Sequence, residues 1–224
     1  AARDLMYARI AFEGMAAELL QAPIWPEHRH FGSEMGQANY LDVLARIGFA
    51  DSVKLGAIVG GWIALIDLVR PDVIVADHSP ALLLAAHIRG LASVQVGSGF
   101  TMPPLDYDRL PPIRADRAAI MPEERFLSTA VQIAGQYGSW IPKSLIEILK
   151  TDKRVVFGCP ELDPYAPFRR EALCLPPEAL PQFTDPPVEP RLFVYLGSEM
   201  PKLDQVLQVL TELNIPLEIY LPGV

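Results

Sequence analysis

The sequence predicts an α/β protein: a Rossmann-like parallel sheet flanked by helices, followed by the beginning of a second Rossmann-like unit. Three observations carry that expectation. Residues 70–100, RPDVIVADHSPALLLAAHIRGLASVQVGSGF, run through an apolar strand, a polar turn, a helix and a second apolar strand closed by a glycine-rich loop. A strand, helix and parallel strand of this length form a right-handed βαβ unit. Residues 191–224 give strand, loop, amphipathic helix and strand again, and nine prolines between Pro160 and Pro190 separate the two patterns as an extended linker. The boundary is placed near Pro186, giving domains of 1–185 and 186–224.

Taken in order, Asp4 is positioned to cap a short helix, and the apolar residues 16–20 suit a strand. Helices are expected over 36–47 and 53–69, the second stopped by Pro71. Gly60 and Gly61 either weaken that helix or allow close packing against it. Residues 73–76, VIVA, suit a strand covered on both faces. Pro80 opens the next helix, and 92–96 return to the sheet. Residues 101–122 form a long proline-rich loop of the kind that shapes pockets. Helices follow over 123–137 and 142–150, then a strand over 154–158. In the last unit Leu203, Val206, Leu207, Leu210 and Leu213 share one helical face. One βαβ unit cannot cover both faces of its own sheet, so the opening of a second, incomplete α/β domain is expected here.

Composition narrows the function. The chain has 224 residues, half of them hydrophobic and 21% charged, so a folded chain is expected, and its formal net charge of −8 disfavours nucleic acid as a partner. The apolar run at 55–69 is shorter than a bilayer span and contains Asp67. No secretory signal pattern opens the sequence, and Cys159 and Cys174 show no CxxC spacing, so the expected location is cytoplasmic without disulfides. His28, His30, Glu27 and Glu34 lack the HExxH geometry, and no metal site is expected.

The candidate chemistry lies at strand ends, where open α/β sheets bind ligands. Asp77, His78 and Ser79 follow the first strand of the βαβ unit. Either Asp77 or Ser79 caps the following helix, or both face a ligand beside His78, whose imidazole suits proton transfer near neutral pH. Gly97, Ser98, Gly99 and Phe100 end the next strand, where glycine permits either a tight turn or close approach of backbone to ligand. Their spacing is not GxGxxG. Gly197 and Ser198 precede the last helix, suiting either a plain cap or a phosphate site. Trp25, Trp62 and Trp140 suit packing, and Trp25 with Phe31 also suits an apolar ligand pocket.

QAPIW at 21–25, RPDVIVADHSPALLLAAHIRG at 70–90, VGSGFTMPP at 96–104, CPELDPYAP at 159–167 and VYLGSEMP at 194–201 together resemble the nucleotide-sugar-dependent glycosyltransferases of the two-Rossmann-domain (GT-B) type, near the macrolide and glycolipid branch. The resemblance implies that the parent protein moves a sugar from a nucleoside diphosphate sugar to a hydroxyl of a small-molecule, lipid or polyketide acceptor, with inversion and without a metal or further cofactor. It implies Asp77 and His78 as catalytic, Trp25, Ser79, Gly97, Ser98, Gly99 and Phe100 on the acceptor side, and Gly197 and Ser198 at the donor phosphates. It further implies that a first strand with a glycine- and histidine-containing loop precedes Ala1, and that an HxGxGT-like donor segment follows Val224. The alternatives are a non-catalytic sugar- or lipid-binding module and a sugar-nucleotide epimerase. Oligomeric state is not encoded in any of these patterns.

Overall fold

The computed structural model describes residues 1–15, 18–25, 38–175, 191–197 and 200–221. The chain divides into two compact units, Ala1–Pro177 and Glu178–Val224. The first carries a parallel sheet of four strands: β1 (Val73–Asp77), β2 (Ala92–Ser98), β3 (Lys153–Phe157) and β4 (Leu173–Cys174), in that spatial order. The second has two parallel strands, β5 (Leu192–Tyr195) and β6 (Leu217–Tyr220), joined through a helix.

Local chemistry explains most boundaries. Helix α1 (Leu5–Ala11) starts where Asp4 Oδ1 accepts the N–H groups of Met6 and Tyr7. Helix α2 (Tyr40–Ile47) is capped by Asn39, which accepts the Leu41 N–H, and ends at Gly48 in the left-handed region. Asp51 caps α3 (Ser52–Val69), and Arg70 closes it in the left-handed region before Pro71. Helix α4 (Pro80–Arg89) begins with proline at its first position and ends at Gly90. Helices α5 (Glu123–Tyr137), α6 (Leu145–Leu149) and α7 (Leu203–Thr211) complete the set.

Register assigns the sheet faces. Ile74 and Ala76 of β1, with Ser93, Gln95 and Gly97 beside them on β2, are buried, and α4 packs on both strands. The buried layer continues through α3, α5 and α6, centred on Leu55, Val59, Leu83, Ala130 and Ile133. Gly60 of α3 allows close packing: a Cβ there would meet the Tyr137 hydroxyl at 2.6 Å. Helix α3 has 18 residues and mean hydropathy 1.7, enough by length and composition to cross a membrane, which the shorter apolar run in the sequence did not reach. Leu55, Ile58, Val59, Trp62, Ile63 and Ile66 nonetheless pack inside the core of this unit, as those of a core helix do.

Several expectations need correction. Strand β1 is not covered on both faces: Val73 and Val75 are 49% and 62% exposed, because they alternate with the buried Ile74 and Ala76 and lie on the face opposite them. Residues 18–20 form no strand; the only pairing there is a bridge between Ala2 and Gln21, and Ala16 and Ala17 lie outside the described residues. Helix α6 begins three residues later than expected, at Leu145, where Ser144 accepts the Glu147 N–H. Residues 160–175 are not an extended linker. They fold as a packed loop with Tyr165 fully buried and Asp163 8% exposed, because an ion pair anchors them. Helix α7 starts at Leu203, after Lys202 in the left-handed region, not directly after Gly197 and Ser198; Ser198 lies outside the described residues.

That anchor is Arg169. Its guanidinium donates to both carboxylate oxygens of Asp163, to Glu171 at 2.8 Å, and to the carbonyls of Gly99 and Met102 at 3.0 and 2.9 Å. The Arg169 and Asp163 side chains are only 3% and 1% exposed. Removing one partner of a buried pair leaves an uncompensated charge in a poorly solvated place, at about 3–5 kcal/mol. Arg169→Ala is therefore expected to lower the unfolding free energy by about that amount in a urea titration followed by circular dichroism. A loss within ~0.5 kcal/mol would show that the pair does not anchor the loop.

Candidate functional site

A cavity of about 830 Å³ opens at the carboxyl end of β1. Asp77, His78 and Ser79 contribute its polar side, with Arg3 and Glu18 also on the lining. Trp25, Trp62, Ile24, Leu82 and Phe12 supply apolar walls. Its size and its mixture of aromatic walls with a few convergent polar groups match a small-molecule site.

The sequence places His78 here through a specific backbone turn. Strand β1 ends at Asp77, and α4 must start at Pro80, so the chain reverses within two residues. His78 takes φ 40°, a conformation uncommon outside glycine. Ser79 occupies the cap position of α4, but its side chain makes no cap hydrogen bond. The capping alternative for Ser79 is therefore not realised, and the residue lines the cavity.

His78 Nε2 is buried and has no hydrogen-bond partner among the described residues. The ring lies edge-on to Tyr40, with centroids 6.1 Å apart at 68°. Tyr40 is itself fully buried, with its hydroxyl also unpartnered among the described residues, and burial pushes that hydroxyl's pKa far up. Burial pulls the His78 pKa below its ordinary 6.5, and the adjacent Asp77 carboxylate offsets only part of that. The imidazole is thus neutral at pH 7 and can accept a proton.

The glycine-rich loop is beside this cavity but does not line it. Asp77 pairs with Val96 across the β1–β2 ladder, which brings the two strand ends together. A Cβ on Gly97 would lie 2.8 Å from Thr101 Oγ1 and 3.4 Å from Asp77 Oδ1, and Gly97 has φ 156°, so glycine is required both by conformation and by space. A Cβ on Gly99 would meet Asp163 Oδ1 at 2.6 Å. Ser98 Oγ lies 3.4 Å from Thr101 Oγ1, and Phe100 packs against the hydrophobic core. Turn geometry and close packing account for these four residues; Trp25 and Ser79 are the acceptor-side candidates that share the cavity with Asp77 and His78.

Of the donor-side candidates, Gly197 is in the second unit, where its carbonyl accepts the Met200 N–H at 3.0 Å. Phe31, His28, His30, Glu27 and Glu34 lie outside the described residues. Among the described residues no cluster of potential metal ligands is found. Sequence reasoning missed Phe12, Leu19 and Tyr40 at the site. Tyr40 had a legible signal, since it follows the Asn39 cap as the first residue of a helix; Phe12 and Leu19 sit in segments without a periodic pattern.

The depressed His78 pKa fixes the sign of a pH effect. The unfolded chain binds a proton at this histidine near pH 6.5, whereas the folded chain binds it only at lower pH. Stability from this group is full above 6.5 and is lost as pH falls from there through the folded value. His78→Gln should flatten this part of the stability profile between pH 7 and 5, measured by denaturant titration at each pH, while the contribution of His87, whose pKa burial also lowers, remains. An unchanged slope in the variant would mean that His78 is not desolvated.

No family model matches the chain, and no curated protein sequence matches it. Among solved structures, the glycosyltransferase SnogD from Streptomyces nogalater is similar at 14% identity and a TM-score of 0.42, over 81% of this chain and 48% of that one. Spinosyn forosaminyltransferase SpnP is similar at 15% identity and a TM-score of 0.44, over 96% of this chain and 55% of that one. The chain spans about half the length of both.

Proposed function

We propose that the chain belongs to a GT-B-type glycosyltransferase, with residues 1–185 holding the acceptor and residues 186–224 beginning the donor-side domain. The observation that carries this reading is a neutral histidine at the carboxyl end of a parallel strand, set in the wall of an apolar cavity large enough for a small molecule. The ordered motifs from QAPIW to VYLGSEMP supply the reaction class.

In this reading the acceptor's apolar body lies against Trp25 and Trp62, and its hydroxyl approaches the turn of Asp77, His78 and Ser79. Since His78 Nε2 is sealed inside, Nδ1 is the nitrogen assigned to take the hydroxyl proton. The activated oxygen attacks the anomeric carbon of a nucleoside diphosphate sugar, the bond to the diphosphate breaks, and the leaving diphosphate departs with the bonding pair. Attack opposite the leaving group inverts the centre. Asp77 stabilises the imidazolium as it forms, because a neighbouring carboxylate favours the charged ring. Gly197 and Ser198 are assigned to the donor side. No metal is assigned a role.

Incubating the parent protein with a panel of sugar nucleotides, with and without hydroxylated apolar acceptors, should give acceptor-dependent release of nucleoside diphosphate detected by mass spectrometry. His78→Ala should lower that release by about 10²- to 10⁴-fold, the usual contribution of a general base. Retention of acceptor binding with no release from any donor would instead establish a binding module, and full activity in the variant would remove His78 from the mechanism.

A further inference from the structure

Two cavities share a wall. The cavity at β1 and a second one of about 540 Å³ are both lined by Phe12 and Leu19. The second is formed around the end of α1 by Arg9, Ile10, Glu13 and Gly14. Phe12 is 45% exposed and Ile10 67%, so the apolar surface continues past the wall instead of being buried against the protein's own core. Asp77, His78 and Ser79 lie on the first cavity alone, whereas the second sets the apolar Ile10 and the shared Phe12 and Leu19 beside Arg9 and Glu13.

We propose that Phe12 and Leu19 determine specificity by carrying an extended alkyl chain from the first cavity into the second. The ligand class is an amphiphile with a hydroxyl at the end near His78 and Ser79 and an unbranched chain that passes Trp25 and crosses Phe12 and Leu19. A compact ligand would fill the first cavity and gain nothing from the second. The inference rests on the acceptor-side reading above, but it concerns binding and does not require sugar transfer.

The test uses the 224-residue chain carrying Trp140→Phe. Trp140 stacks on His87 away from this cavity, with centroids 4.8 Å apart, so the remaining tryptophans, Trp25 and Trp62, report on the cavity. Titration with n-hexanol, n-octanol, n-decanol and n-dodecanol should shift their emission, with affinity rising about fourfold per added methylene as each is taken out of water. Phe12→Asp and, separately, Leu19→Asp should weaken dodecanol at least tenfold more than they weaken hexanol, with circular dichroism confirming the fold. Affinity independent of chain length, equal losses for hexanol and dodecanol in both variants, or no emission response to any alcohol would each overturn the proposal. Length-dependent binding in a parent protein that releases no nucleoside diphosphate would support this inference while rejecting the transferase. Acceptor-dependent release without length dependence would do the opposite.

Discussion

The first unit depends on the constraint imposed by one buried guanidinium. Arg169 joins its own loop, through Asp163 and Glu171 a few residues to either side, to the turn after β2 some seventy residues earlier, through the carbonyls of Gly99 and Met102. Arg154 extends the same group, its Nη2 donating to the Pro103 carbonyl at 2.8 Å and its Nε lying 2.7 Å from Glu171 Oε1. An arginine suits this place because its planar fork satisfies several acceptors at once, whereas a lysine would present a single point charge. The turn after β2 is packed so closely that a Cβ on Gly97 or Gly99 would run into Thr101 or Asp163, and the end of β2 pairs with Asp77.

The long proline-rich segment is held by a comparable but uncharged-partner device. Asp42, fully buried in α2, accepts the Ala38 N–H at 2.6 Å and the Ile120 N–H at 2.7 Å. Tyr107 donates to the Phe168 carbonyl at 2.8 Å, and the Ile113 N–H reaches the Ala38 carbonyl. A loop without internal regular structure can be ordered only if its backbone polar groups find such partners. The consequence is that α2, which presents Tyr40 to His78, is fastened at its start to a segment eighty residues away in the chain.

What could be read from the sequence follows the range of the interactions involved. The α4 start at Pro80, the cap at Asp4 and the span of α5 depend on neighbours within a turn or two, and they were legible. The packing of residues 160–175 was not, since it rests on Arg169 meeting carbonyls some seventy positions earlier, a contact no local pattern records. The exposed face of β1 was misread for a related reason: a β-branched run describes what a strand can bury, while the neighbouring strands and helices decide what it does bury. At the site, Asp77, His78, Ser79 and Trp25, all named from the sequence, line one cavity, and Gly97 to Phe100 lie beside it. Local pattern does not separate the two placements, because glycine spacing is the same for a ligand cradle and for a turn packed on a carboxylate.

The properties of His78 have a common origin in how abruptly β1 gives way to α4. A positive φ at a non-glycine residue costs on the order of 1–3 kcal/mol, and an unpartnered buried nitrogen adds a further desolvation cost. Both costs fall on the residue between Asp77 and Ser79, and the surrounding structure must over-determine it for the arrangement to persist. It does so from two sides: Pro80 fixes the helix start behind it, and Tyr40, the first residue of a helix whose start Asn39 and Asp42 secure, packs at the edge of its ring. The same burial that leaves Nε2 without a partner depresses the pKa and keeps the ring unprotonated at neutral pH. The turn thereby carries a stability cost and holds an unprotonated imidazole at the end of the strand, and relief of the strain by a more exposed turn would remove the desolvation that keeps it unprotonated.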